Sequence, residues 1–432
     1  MISAFEAVDC VTVQTARYVT TFGITFLIVL LTATVLRLWL GLRHIGHVRA
    51  HRDAVPPQFS ADVSLDAHQR AADYTAEKTR LTLVSIFVDT ALVLWLTFGG
   101  GLQLMYESGA RLFEGEIARG LALIVLLSIV TTAVELPLGL YRTFRIEERY
   151  GFNKMTAALY WIDFAKTTAL AAAFGIPLAA CVLWLMQAAG DYWWLYAWGV
   201  WVVFNLFMLA VYPTWIAPLF NRFSPMQDAD LKERVEKLLA RCGFKVKGLM
   251  VMDGSRRSSH GNAYFTGFGK TKRIVFFDTL LARLTPPEVE AVLAHELGHF
   301  RLRHVAKRIV WIFAGSLAFL WLLDYVMHQA WFYEGLNVDA RSTAVALVLF
   351  FLVLPSFTFL FQPLLSSYSR KHEFEADRYA AQNASAGDLA SALVKLYKDN
   401  ASTLTPDPVH SAFYDSHPPA LARISRLQGA SR

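Results

Sequence analysis

Cysteine is scarce: Cys10, Cys181 and Cys242 are the only three in 432 residues, they lie far apart, and Cys181 sits inside an apolar run. That spacing excludes a disulfide framework and a thiolate zinc site, and the three read as inert packing residues. Charge is thin as well. Asp, Glu, Lys and Arg make up 18% of the chain against 55% hydrophobic types, and a mean hydropathy of +0.36 is too high for an ordinary soluble globule. No single basic domain accounts for the net charge of +6. Its positive residues flank apolar runs, which speaks for membrane topology and against a nucleic-acid partner. Internal repeats and low-complexity linkers are lacking too. Residues 1–21 hold Glu6, Asp9 and one Arg, and the apolar run that follows is too long for a signal core. A retained first span is expected, not a cleaved leader.

What is abundant is apolar sequence in bilayer-sized lengths. A hydrocarbon core about 30 Å thick needs a helix of roughly 20 apolar residues, and seven segments qualify: 22–40, 82–104, 119–140, 165–186, 193–216, 308–326 and 343–365. The expected fold class is therefore mainly α, a polytopic membrane protein. Lys and Arg crowd the connections after the first, third, fifth and seventh spans, whereas the others carry Arg111 and Arg119, then none at 187–192, then Arg341. This bias predicts an outside N-terminus, with the C-terminus and the large polar insertion on the cytoplasmic side.

Four regions follow: spans one to five in 1–216, a polar insertion at 217–307, spans six and seven in 308–365, and a polar C-terminal segment, 366–432. Soluble chemistry belongs to the insertion and the tail. Leu231, Val235, Leu238 and Leu239 repeat at helical spacing within Asp228 to Arg241, and Gly248 to Met252 reads as a strand. Asn262 to Phe268 and Arg273 to Phe277, joined through Gly269-Lys270-Thr271, read as a β-hairpin. Thr285-Pro286-Pro287-Glu288 then opens a helix with a capping box.

That helix bears His295-Glu296-Leu297-Gly298-His299. A spacing of four puts both imidazoles on one helix face, where two neutral nitrogens can share a tetrahedral zinc. Glu296 projects near the metal without ligating it, the place for a general base. Val289, Leu293, Leu297 and Phe300 form a separate apolar stripe, so packing does not require the histidines. A catalytic zinc takes three protein ligands and leaves one position open. Candidates for the third follow the seventh span in Arg370-Lys371-His372-Glu373-Phe374-Glu375-Ala376-Asp377. Chemistry alone leaves Glu373, His372 and Glu375 open; the four-residue spacing of Glu373 and Asp377 favours Glu373 as ligand and Asp377 as acceptor for an imidazole N–H.

The sequence resembles the type I CAAX prenyl proteases, seven-span membrane zinc metallopeptidases. The likeness runs in order through Leu136-Pro137-Leu138, Tyr141 to Thr156 (YRTFRIEERYGFNKMT), Tyr212 to Pro225 (YPTWIAPLFNRFSP), Gly261 to Gly267 (GNAYFTG), HELGHF, the Glu373 and Asp377 pair and Ser416-His417-Pro418-Pro419. It covers most of the chain from about residue 80; the first 80 residues match weakly and the connection 327–342 is short. The resemblance implies one zinc held by His295, His299 and Glu373, Glu296 as general base, and Asp377 in support. It further implies Asn262 and Ala263 on a substrate-binding edge strand and His417 as donor to the oxyanion; Arg423, six residues beyond His417, is expected to reach the site as a substrate-binding residue. An extended peptide can add beside 262–268 through backbone hydrogen bonds, and a donor to a developing oxyanion is worth a few kcal/mol.

The family fold would give helices enclosing a water-filled chamber with a zincin-like α+β catalytic insertion. Asp89, Glu135, Asp163 and Lys166, costly in lipid, are tolerable facing water; Asp163 and Lys166 also fit a helix-end ion pair. No catalytic role is assigned to them. The expected function is a zinc-dependent membrane endopeptidase acting on a peptide or protein, either prenylated at its C-terminus or embedded in the membrane. Two other readings are weighed: a seven-span transporter or receptor with a non-catalytic zinc site, and a factor that clears stalled membrane substrates with the chamber more than the zinc. Glu296 speaks against the first, because structural zinc needs no general base and usually has four protein ligands; the second would leave the phenotype intact in Glu296→Gln.

Overall fold

A computed structural model of the chain describes residues 20–266 and 273–430. Cys10, the N-terminal tail and the expected turn at 269–271 lie outside the described residues. Among the described residues, seven helical stretches are long and apolar enough to cross a membrane. Helix α1 (Thr21–Ala50) starts where Thr20 Oγ1 accepts from Gly23 N–H, and α2 (Leu65–Leu96) starts in the same way on Ser64. The second span is displaced from its expected place at 82–104. It begins seventeen residues earlier and stops at Leu96, where Gly100 (φ +73°) turns the chain into the amphipathic α3 (Gly101–Leu112). Apolar length alone does not register a break made by backbone geometry.

Next come α4 (Glu116–Tyr141), α5 (Ala157–Ala188), α6 (Trp193–Val211) and the short α7 (Ala217–Phe220). Pro137 lies inside α4, and Pro213 opens a widened turn between α6 and α7; such turns accommodate the hydrogen bond that proline cannot make. In lipid, helices associate by close packing. Gly120 of α4 approaches Ala344 so closely that an added Cβ would meet its Cβ at 2.7 Å. Phe26, Leu96, Leu102, Leu123, Leu183 and Leu349 fill one core between the spans, while Phe207, Trp215, Val310 and Trp311 point outward. A cavity of about 370 Å³ between α1, α2 and the C-terminal segment is lined by Arg37, Tyr74, Lys78 and Asn400.

The insertion contributes β1 (Phe223–Pro225), α8 (Ala229–Arg241), β2 (Gly248–Met252), β3 (Ala263–Thr266), β4 (Arg273–Phe277), α9 (Asp278–Leu281) and α10 (Pro286–Arg301). The strands form one sheet in the order β1-β2-β4-β3, with β2 and β4 parallel, the other two pairs antiparallel, and β3 at the edge. The periodic leucines of α8 and Val289, Leu293 and Leu297 of α10 close over Leu249, Ile274 and Phe276. Beyond α10 the chain re-enters the membrane as α11 (His304–Met327), turns through α12 (Ala330–Glu334) and returns as α13 (Thr343–Thr358). A short tighter turn joins α13 to α14 (Gln362–Asn383), so the seventh span runs on into the polar layer. The remaining helices, α15 (Ala386–Asp399), α16 (Pro408–Tyr414) and α17 (Ala420–Ala430), pack around that extension.

Asp163 and Lys166 do not form an ion pair with one another. Asp163 takes both nitrogens of the Arg257 fork at 2.8 and 3.1 Å, and Lys166 Nζ donates to the Leu219 carbonyl at 2.8 Å. Each ties the fourth span to the polar insertion. Asp89 and Glu135 stay exposed on their helices.

Candidate metal centre

Local sequence fixes the helix that carries the motif. Thr285 N–H donates to Glu288 Oε2 at 2.7 Å and the Thr285 side chain accepts in return. Glu288, buried, also accepts from Ser391 Oγ (2.7 Å) and Lys395 Nζ (2.8 Å), which anchors α10 to α15. With Val289, Leu293 and Leu297 turned into the sheet core, the opposite face presents His295, half-buried Glu296 and His299.

Against that face lies α14. His295 Nε2 stands 3.2 Å from His299 Nε2 and 3.5 Å from Glu373 Oε2, and His299 Nε2 stands 3.4 Å from Glu373 Oε1. Zinc bonds of about 2.0–2.1 Å at tetrahedral angles imply donor separations of about 3.3 Å, so the three residues have the spacing of a zinc ligand set. Glu373 Oε2 is buried without a hydrogen-bond partner; His417 Nδ1 lies 2.7 Å from it, at ion-pair distance but outside hydrogen-bond geometry. An orphaned carboxylate oxygen among three imidazoles suits a cation. Of the three residues left open for the third position, Glu373 alone meets both motif histidines. His372 stacks on His304 with ring centroids 4.0 Å apart, and Glu375 Oε2 lies 2.9 Å from His304 Nε2.

Further partners hold these groups. His295 Nδ1 is 2.8 Å from Asp377 Oδ1, and Asp377 receives the Arg423 fork at 2.9 and 2.6 Å. Burial disfavours a charged His295, yet Asp377 and Glu373 outweigh it and raise the imidazole to about 9. The pocket thus carries negative charge that a dication would balance. Arg423, expected to reach toward substrate, is instead buried beneath the ligands, with its Nη1 3.8 Å from Glu373. His304, behind His299, was not found by sequence reasoning. Its signal is a histidine five residues past the motif, beyond a turn in which Arg303 has φ +57°.

Asn262 and Ala263 lie at the start of edge strand β3, beside α10. The Asn262 carbonyl accepts from Phe277 N–H at 3.0 Å, and Asn262 Oδ1 covers Ala263 N–H at 2.8 Å. Alternation along an antiparallel pair turns the Ala263 backbone groups toward the open edge. His417 is the most exposed member of the group, with 63% of its side chain accessible.

A seven-span frame that joins HExxH to a carboxylate from the last span defines a membrane metallopeptidase. Models of the CAAX prenyl protease N-terminal region, five membrane helices, and of Peptidase family M48 match residues 44–222 and 225–431. The CAAX prenyl protease 1 homolog of Arabidopsis thaliana is 34% identical over 404 residues, covering 91% of this chain and 94% of the relative. The Homo sapiens homolog is 31% identical over 426 residues, covering 87% and 88%. The crystal structure of S. mikatae Ste24p superposes with a TM-score of 0.87 at 28% identity, covering 94% of this chain and 99% of that one. The chain belongs to peptidase family M48, among the CAAX prenyl proteases. That membership makes it a membrane protease and overturns the transporter or receptor alternative.

Proposed function

We propose that the chain is a zinc-dependent endopeptidase with one zinc held by His295, His299 and Glu373, and that it cleaves near the C-terminus of prenylated peptides. The two imidazole nitrogens, 3.2 Å apart, each with a Glu373 carboxylate oxygen at 3.4 or 3.5 Å, carry the metal reading; the names of the relatives support the substrate class. The insertion 217–307 and the segment 366–432 act as one catalytic unit on a frame built from 1–216 and 308–365. Lys and Arg placement supports a cytoplasmic location for that unit and for the C-terminus, with the N-terminus outside.

Zinc, when bound, supplies Lewis acidity that makes a water acidic near neutral pH and polarises a carbonyl. The peptide adds as a strand along the open edge of β3, where it pairs with the Ala263 carbonyl and displaces Asn262 Oδ1 from the Ala263 N–H. Glu296 takes a proton from the attacking water and passes it to the leaving amine nitrogen. His417, exposed beside Glu373, donates to the carbonyl oxygen as charge develops. Asp377 and Arg423 hold His295 in orientation.

Cleavage of a farnesylated CaaX peptide by purified protein tests this reading, with Glu296→Gln and a chelator as controls. The expected result is cleavage that chelation abolishes, and a Glu296→Gln protein that retains zinc while its rate falls by about 10²–10⁴-fold or more. A zinc-loaded wild type that leaves the peptide intact would redirect the search to unprenylated membrane proteins. Full activity in Glu296→Gln would overturn the mechanism.

A further inference from the structure

His304 lies outside the three ligands but touches one of them. Its Nδ1 is 3.1 Å from His299 Nδ1, its Nε2 is 2.9 Å from Glu375 Oε2, and it is 1% exposed. Chemistry leaves one arrangement of protons. A neutral histidine that presents Nε2 to a metal carries its proton on Nδ1, and His299 Nε2 is the nitrogen that faces His295 and Glu373. His299 Nδ1–H therefore donates to His304 Nδ1, which must be bare. The His304 proton then sits on Nε2 and is donated to the Glu375 carboxylate. With the opposite His304 tautomer, two N–H groups would collide and Glu375 would face a lone pair.

We infer that His304 is a positioning residue that links Glu375 to His299 and fixes the tautomer and ring orientation of that ligand. The inference rests on the reading of His295, His299 and Glu373 as zinc ligands. Both motif histidines then end on a carboxylate, His295 directly on Asp377 and His299 through His304 on Glu375. A second metal is the competing occupant, because His304, His372 and Glu375 bring ligand atoms within 4.8 Å of one another. Ring geometry opposes it. Imidazole binds a metal in its own plane, and the His304 and His372 planes are stacked at 5° to one another, so their lone pairs do not converge. Both His304 nitrogens are also already engaged.

Two substitutions separate hydrogen bonding from packing. His304→Phe keeps a ring to stack on His372 and loses both nitrogens; His304→Gln keeps a carbonyl to accept from His299 and an amide to donate to Glu375. Glu375→Leu, at a position one-third exposed, removes the terminal acceptor with little threat to folding. Zinc content, zinc affinity by chelator competition and the visible spectrum of cobalt-loaded protein are measured on folded, full-length material. The expected pattern is one zinc in the wild type, affinity reduced about 10- to 100-fold in His304→Phe, a loss in the same direction in Glu375→Leu, an altered cobalt spectrum in both, and near wild-type affinity in His304→Gln. Wild-type affinity in His304→Phe overturns the relay alone. Two zinc ions per wild-type chain overturn it in favour of a second metal site, and a wild type that binds none overturns the parent reading and this one together.

Discussion

An added Cβ at Gly298 would stand 3.0 Å from the Cα of Ala376, and 3.1 Å from the Cβ of Tyr379. The middle glycine of the motif is therefore where α10 and α14 touch, and their closeness lets Glu373 reach both histidines. Alanine usually stabilises a helix interior by up to about 1 kcal/mol relative to glycine. Here the neighbour is backbone and cannot move aside, so Gly298→Ala should instead cost about 1–3 kcal/mol and weaken zinc binding, because separated helices stretch the ligand triangle. Thermal unfolding and zinc titration give the sign directly. A stabilised variant with unchanged zinc affinity would show that the contact yields.

Arg423 and Asp377 form a buried, two-pronged pair behind His295. Arg423→Leu strands the Asp377 carboxylate in the interior, at an expected cost of about 3–5 kcal/mol. Asp377→Asn keeps the shape but weakens the acceptor for His295, and zinc affinity should fall about 10- to 100-fold. Arg423→Lys cannot reproduce the fork and should fall between wild type and Arg423→Leu in stability. Equal stability of all three proteins in denaturant titrations would mean that the pair contributes nothing net.

Much of this arrangement was legible in the sequence where local rules act. The capping box at Thr285 and Glu288, the strand at Gly248–Met252 and the helix over Ala229–Arg241 follow from spacing and cap chemistry, and the structure has them. Lengths of apolar sequence located the spans, yet they misplaced the second, because the break after Leu96 is made by Gly100 at positive φ inside an otherwise apolar run. Long-range placement was harder to read. Within residues 370–377 the four-residue spacing of Glu373 and Asp377 favours Glu373, but only the helix face that meets α10 separates it from Glu375. Likewise, Asp163 looks like a partner for Lys166 until the fold brings Arg257 to it. Arg423 and His304 belong to the same class, since their partners are 46 and 71 residues away along the chain.

Glu288 couples folding to pH at a distance from the ligands. Burial alone would raise its carboxyl, but bonds from Lys395, Ser391 and Thr285 win and hold it below its ordinary 4.5. A carboxyl depressed in the folded state adds stability that is fully present above that ordinary value and is lost as pH falls through the folded one. Glu288→Gln removes the charge while leaving neutral hydrogen bonds. The wild type should therefore exceed it by about 1.5–3 kcal/mol at neutral pH, the range for hydrogen bonds to a charged group, with the gap closing as pH falls below the ordinary carboxyl value of 4.5 and through the lower folded one. Paired unfolding curves at the two pH values isolate this residue, because the other carboxylates titrate alike in both proteins. A gap independent of pH would mean that the Lys395 partnership is neutral in sign and that α10 is held to α15 by packing.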